Sequence, residues 1–294
     1  MHPSLTIYRN EAQNIIRTDF DIRLLADDCL FTEGPVWNKE GYYLFSDIPA
    51  NCIYKINEEG NKTVFIENSG TDDPHDDDIN QQQPGSNGLA YGNNGELLIC
   101  RHGSHSLAAY EGNEMKILAD TYGGKLLNSP NDLIVHSNGS IYFSDPPYGL
   151  KDGRLNPARF QDRAAVYCYQ DGKLSVVSEK YQYPNGVCLS PDQKQLYICS
   201  SKAFEKFILL YDVDTHNLIR VFAEENSDGI EIDDHGNIFL CSKEGIIILN
   251  SKGERTALIR LPFIPANACW GGSTGKDFFI TARSSIFLVK DLLK

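Results

Sequence analysis

Short apolar runs separated by polar turns recur along the whole chain. Six times a polar pair opens a run rich in β-branched and aromatic residues: EGPVW from Glu33, NGLAY from Asn87, NDLIV from Asn131, NGVCL from Asn185, DGIEI from Asp228 and NACWG from Asn267. A turn rich in Gly, Asn and Asp follows, then a second run: YYLFS, ELLIC, SIYFS, QLYIC, NIFLC and DFFIT. The step from Gly34 to Ser46 is 12 positions, and it is repeated from Gly88 to Cys100, Asp132 to Ser144 and Gly229 to Cys241. It is 13 from Gly186 to Cys199 and from Ala268 to Thr281. Third runs follow in all six copies (CIYKI, SLAAY, AAVYCY, FILLY, GIIIL, SIFLV) and fourth runs in five (KTVFI, MKILA, LSVVS, LIRVF, RTALI). Runs this short, bounded by turn residues, read as β-strands.

Six repeats of four strands, each roughly 40–55 residues long, predict an all-β fold, a six-bladed β-propeller with four-stranded blades. The sixth repeat stops without its fourth strand. FDIRLLAD, from Phe20, has the pattern of the missing one and closes the ring by uniting the two chain ends in one blade. A closed ring leaves no open sheet edge to aggregate. The chain of 294 residues, two domains by length alone, is therefore expected to be one domain spanning 1–294. It carries an N-terminal extension (1–18) and two polar insertions, 69–86 and 145–163. Both insertions read as surface loops, and long loops in compact domains often serve as lids.

Charge narrows the partners. The net charge is −13, which opposes nucleic-acid and anionic-membrane surfaces. It is unevenly spread. Residues 67–78 hold six acids and no Lys or Arg, as do residues 224–234. Elsewhere 28 acids (40 less 12) face 27 bases. No stretch is long and apolar enough for a membrane helix, and the first residues lack an apolar signal core, so a cytoplasmic location is expected. The eight cysteines form no C-x-x-C pair; free thiols, mostly in buried strands, are expected.

In a propeller the first strand of each blade lines the central channel, so the six opening residues converge on one mouth. They are Glu33, Asn87, Asn131, Asn185, Asp228 and Asn267: two carboxylates and four amides, with no Lys or Arg. Such oxygen donors suit a hard divalent cation; softer metals want His or Cys. Asn-Gly and Asp-Gly are common turn pairs, but a turn does not explain why the phase-matched residue is acid or amide in every copy. The acid run from Asp72 to Asp78 reads as a solvated loop rather than a metal site.

The strings FTEGPVW, LNSPNDLIVHSNGSIYFSDPPYGL, YPNGVCLSPDQKQLYICSS and SDGIEIDDHGNIFLC resemble the gluconolactonase, regucalcin and luciferin-regenerating-enzyme superfamily, the gluconolactonase-like branch in particular. The resemblance runs from about Leu24 to Val289 and implies the same six-bladed fold. It implies metal ligation by Glu33, Asn131, Asn185 and Asp228, with Ca²⁺ the usual ion and Mg²⁺, Mn²⁺ or Zn²⁺ admitted. It implies hydrolysis of a sugar-acid lactone, a small-molecule substrate, with an organophosphate triester as the alternative on the same site. A non-catalytic metal-binding scaffold is the reading from a different class, since fold does not fix function.

Within that implied site Asp228 and His102 compete for the role of base, His102 having a pocket-wall role as its alternative. Asn131, Arg101 and Tyr148 are the candidate substrate contacts. Arg101 stands where many relatives have Glu or Gln; it can meet a sugar acid's carboxylate or phosphate, or make a rim salt bridge. Asn87 and Asn267 either hold water or cap turns. Asp145, in the DPPYGL string, either lines the pocket or holds a structural cation. Oligomeric state is left open by the sequence.

Overall fold

A computed structural model of the protein describes residues 2–294 and is almost entirely β. Six antiparallel sheets surround one axis, each led by an inner strand: Thr32–Asn38, Ser86–Tyr91, Leu133–Val135, Pro184–Leu189, Ile230–Ile232 and Asn267–Gly271. Strands two, three and four follow outward in sequence order in the first five sheets. The fold is the six-bladed propeller that the repeat predicts.

Ring closure follows the expected route. Arg23–Ala26 pairs antiparallel with Ser285–Val289 as the outermost strand of the sixth blade, Leu24 opposite Phe287. The N-terminal extension adds something the apolar pattern does not announce. Leu5–Ile7 joins Arg255–Ile259 as a fifth, outermost strand of the fifth blade. Ala12 and Ile16 behind it are fully buried, and Ile16 bridges Leu293. The two ends of the chain are thus sewn to adjacent blades.

Blade position explains why the second runs are continuously apolar instead of alternating. Tyr42–Asp47, Ile238–Ser242 and Asp277–Ala282 are buried at every residue, because both faces of a middle strand pack on neighbouring blades. Leu98, Cys100, Phe143 and Tyr167 fill one such seam, between the second and third blades. Outer strands have solvent on one side, and there Leu218, Ile219 and Val221 stay exposed. All eight cysteines are free thiols, and seven of them are buried.

The two insertions lie on the same face of the ring and dock on each other. Ile79 forms a bridge with Leu150, the Asn80 amide donates to the Gly149 carbonyl (2.7 Å) and the Lys151 amide to that of Asp78 (2.9 Å). Asp78 also pairs with Arg159. Ile79, Leu150 and Phe160 are buried beneath this contact, while Asp72, Asp73 and Asp77 project into solvent. Most of the 67–78 acid run is therefore solvated, and one member clamps the loops together.

Candidate active site

Each motif residue lies within two positions of the start of its inner strand, so six side chains arrive together at the mouth covered by the docked loops. The glycine that follows the motif residue is required by how closely the strands approach there. A Cβ on Gly186 would lie 2.7 Å from the Asp228 carbonyl oxygen, and the Gly186 amide donates to that same oxygen at 2.9 Å. A Cβ on Gly34 would lie 1.9 Å from the Asn87 carbonyl oxygen, at a φ of +50° that already disfavours a side chain. The Asn-Gly and Asp-Gly pairs thus serve inter-blade contact at the axis, not a hairpin turn.

The side chains are held by separate hydrogen bonds. Asn185 Nδ2 donates to Asp228 Oδ1 at 2.5 Å. Glu33 Oε2 accepts from the Gly34 amide at 3.0 Å. The amide nitrogens of Asn87 and Asn131 lie 3.3 and 3.4 Å from His102 Nε2. Glu33, Asn87, Asn131, Asn185 and Asn267 are buried and Asp228 is half-buried. Asn87 Oδ1 is buried without any hydrogen-bond partner among the described residues.

Burial dominates the electrostatics. Burial pushes the Glu33 carboxyl well above its ordinary range, and the charges of Asp228 and Asp132 push it further. Burial also raises Asp228, to about 6, against the pull of Arg283, the Asn185 hydrogen bond and Lys202. His102 is driven down to about 3, first by burial and then by His105, so its imidazole is neutral. Gly149 of the DPPYGL loop packs so tightly on it that a Cβ there would lie 2.7 Å from His102 Cβ. A walled-in group of such low basicity is a weak proton acceptor.

Tyr148 stands beside the ring. Its hydroxyl shares a 2.6 Å hydrogen bond with Ser201, and Asp228 is close enough to raise its ionisation further above a burial already unfavourable to the phenolate. Arg101 is placed elsewhere. Strand parity puts it on the face of the second blade turned to the first, as for Ile99, where it is buried and its Nε donates to the Ser69 carbonyl at 2.9 Å. Asp145 does not line the mouth either. It is fully buried, pushed up to about 7, and its carboxylate accepts the Asn128 amide at 2.9 Å, tying down the NSP segment before Asn131.

Two carboxylates that sequence reasoning passed over stand deeper in the channel. Asp132 occupies the position that four other repeats give to glycine; its oxygens accept the amides of Leu133 (3.0 Å) and Val187 (3.2 Å), and burial raises it to about 7. Glu231 stands where the other inner strands have Val36, Ala90, Ile134, Cys188 and Trp270. Burial and then Asp132 raise it to about 8. Both line a cavity of about 550 Å³ that opens at the opposite mouth beside Trp37 and Trp270. A departure from the repeat's own consensus is the signal that could have found them. A second cavity, about 290 Å³, lies at the upper mouth against Asp228, with Lys202, Lys243 and Arg283 around it.

The ring suits a hard cation. It combines a buried carboxylate, Glu33, raised by the charge of a half-buried one, Asp228, with amide oxygens, and among the described residues no Lys or Arg is in ion-pair contact with either acid. No protein donor reaches Oδ1 of Asn131 or Asn185 among the described residues. It is a two-carboxylate site: no cluster of three or more His, Cys, Asp or Glu side chains poised for a metal occurs among the described residues.

A six-bladed propeller with an oxygen-donor ring at one mouth defines the class. The model of the SMP-30/gluconolactonase/LRE-like region matches residues 31–284, and the chain belongs to that family. It is 31% identical to a gluconolactonase of Zymomonas mobilis over 97% of this chain and 85% of that protein. Its fold matches a solved gluconolactonase of Xanthomonas campestris with a TM-score of 0.83 at 24% identity, covering 99% of this chain and 95% of the other. It matches a calcium-binding regucalcin of Agrobacterium tumefaciens with a TM-score of 0.74 at 17% identity, over 94% and 95% of the two chains.

Proposed function

We propose that the chain hydrolyses a sugar-acid lactone at the upper mouth, using a divalent cation held by Glu33, Asn131, Asn185 and Asp228. The observation that carries this reading is the convergence of the Glu33 and Asp228 carboxylates, both raised by desolvation, with free amide oxygens at the axis, in a chain related along its length to a gluconolactonase. Calcium is the first ion to test, because every candidate ligand is a hard oxygen donor.

Opening a cyclic ester needs a polarised carbonyl, an attacking water and a place for the charge that develops on oxygen. A divalent cation held by Glu33, Asn131, Asn185 and Asp228 would supply Lewis acidity toward the carbonyl oxygen. The remaining tasks fall to side chains. Asp228, raised toward neutrality and steadied by the Asn185 amide, takes the proton of the attacking water and returns it to the ring oxygen that leaves. Neutral His102, walled in by Gly149, sets the amides of Asn87 and Asn131 rather than serving as the base. Tyr148 and the docked 69–86 and 145–163 loops limit water around the ester.

Titrating acid release from D-glucono-1,5-lactone with the calcium-loaded protein and with Asp228→Asn tests this directly. Turnover by the parent and its collapse in the variant are expected. Equal rates, or cleavage of a phosphotriester with no lactone accepted, would remove the reading.

A further inference from the structure

The cavity above Asp228 has a charge opposite to that of the protein. The chain as a whole carries −13, yet three cations border this one space: Lys202, Lys243 and Arg283. They come from equivalent stations. Each lies one or two residues after the second strand of its blade, Gln195–Ser200, Ile238–Ser242 and Asp277–Ala282 respectively. The first three blades have Ile48, His102 and Pro146 at the start of the corresponding connections, so the cationic side is confined to blades four to six.

These charges are not spent on the protein. Among the described residues none of the three lies within 4.0 Å of a carboxylate oxygen, whereas other surface cations, such as Arg255 and Lys62, have acidic partners. Two of them are nevertheless held in place. Lys202 Nζ sits 5.0 Å over the Tyr148 ring and 4.5 Å over that of Tyr183, and the Arg283 guanidinium lies 5.2 Å from the centre of the Phe31 ring. Aromatic faces hold a cation without neutralising it. The fields of Lys202 and Arg283 reach Asp228 and lower it, which places them around the same space as the reacting group.

We propose that the lactone this chain opens carries a second anionic group, a carboxylate or phosphate remote from the ester, bound by Lys202, Lys243 and Arg283. This rests on the lactonase reading above and adds the substrate's charge and orientation: ester over the axis, anion toward blades four to six. At about 290 Å³ the cavity is at the small end of ligand pockets, the size of one sugar rather than two. The anion-binding role open to Arg101 in the sequence passes to these three side chains, since Arg101 is turned to the seam between the first two blades.

The test compares kcat/KM of the calcium-loaded protein for neutral D-glucono-1,5-lactone, carboxylate-bearing D-glucaro-1,4-lactone and 6-phospho-D-glucono-1,5-lactone. One of the two anionic lactones should exceed the neutral one about tenfold or more, by an advantage that shrinks in about 0.5 M salt. Which anion ranks higher identifies its source. In Lys243→Gln combined with Arg283→Gln the anionic-to-neutral ratio should fall about tenfold, whereas a merely structural defect lowers both rates and leaves the ratio intact. A neutral lactone turned over as well as either anionic one, or a ratio unmoved in the double variant, would overturn the proposal while leaving the lactonase reading in place. Turnover of no lactone at all would overturn both.

Discussion

At the upper mouth the inner strands present Glu33, Asn87, Asn131, Asn185, Asp228 and Asn267; a few residues further along, the same strands present Trp37, Tyr91, Val135, Leu189, Ile232 and Trp270. Buried carboxylates occur in both regions, but their company differs. Glu33 and Asp228 stand beside side-chain amides and near each other at a mouth bordered, on the side of blades four to six, by cations without an ion-pair partner among the described residues. Asp132 and Glu231 stand deeper, in a cavity lined largely by apolar side chains, and there, as at the mouth, burial is the first cause of the upward shifts. Acidity alone therefore does not mark the site. What marks it is a set of acids and amides whose free oxygens converge, next to a space a substrate can enter.

The comparison breaks most visibly at Asp228. Asp228→Asn should lower lactone turnover about a thousandfold while the melting temperature holds or rises, since a buried charge is removed. A matching loss of activity and stability would make the upper ring structural instead. Next in size is Gly34→Ala, which forces a methyl against the Asn87 carbonyl at positive φ. A loss of about 3 kcal/mol in denaturant unfolding is expected, and a change below about 1 kcal/mol would show that the blades do not need this close approach.

Glu231→Gln probes the lower region. In the folded protein this carboxyl is held up at about 8 against its ordinary 4.5. The folded state keeps a proton that the unfolded chain releases, so Glu231 lowers stability increasingly from about pH 4.5 to about pH 8 and no further above. The variant should match the parent at pH 4 and exceed it by roughly 3–5 kcal/mol at pH 8, with lactone kcat/KM unchanged. An activity loss comparable to that of Asp228→Asn would erase the distinction between the two regions. Smallest is Arg159→Ala, which removes the exposed ion pair to Asp78 between the docked loops. Stability should fall by less than about 1 kcal/mol, with faster proteolytic nicking in 69–86 as its clearer sign.

Much of this was legible because the repeat states it six times. The four-strand period, the closing strand from Phe20 and the convergence of the motif residues all follow from phase alone. Leu5–Ile7 was not legible, since three residues in a polar setting carry too little periodicity to show a strand. The placement of Arg101 turned on strand parity, where one position flips a side chain to the opposite face. The docking of Ile79 on Leu150 joins loops far apart in sequence, and no local pattern foretells which loops meet. Lys202, Lys243 and Arg283 look like ordinary surface cations one at a time; only the folded ring shows that they stand at one station of consecutive blades.

The central claim is that the upper ring works through a divalent cation. Initial rates of lactone hydrolysis, measured on the calcium-loaded protein, after EDTA treatment and gel filtration, and again after calcium is restored, test it most directly. Loss of turnover on chelation and its recovery on calcium addition, with the fold unchanged by circular dichroism throughout, is the predicted result. Full activity in protein shown by elemental analysis to be metal-free would contradict it.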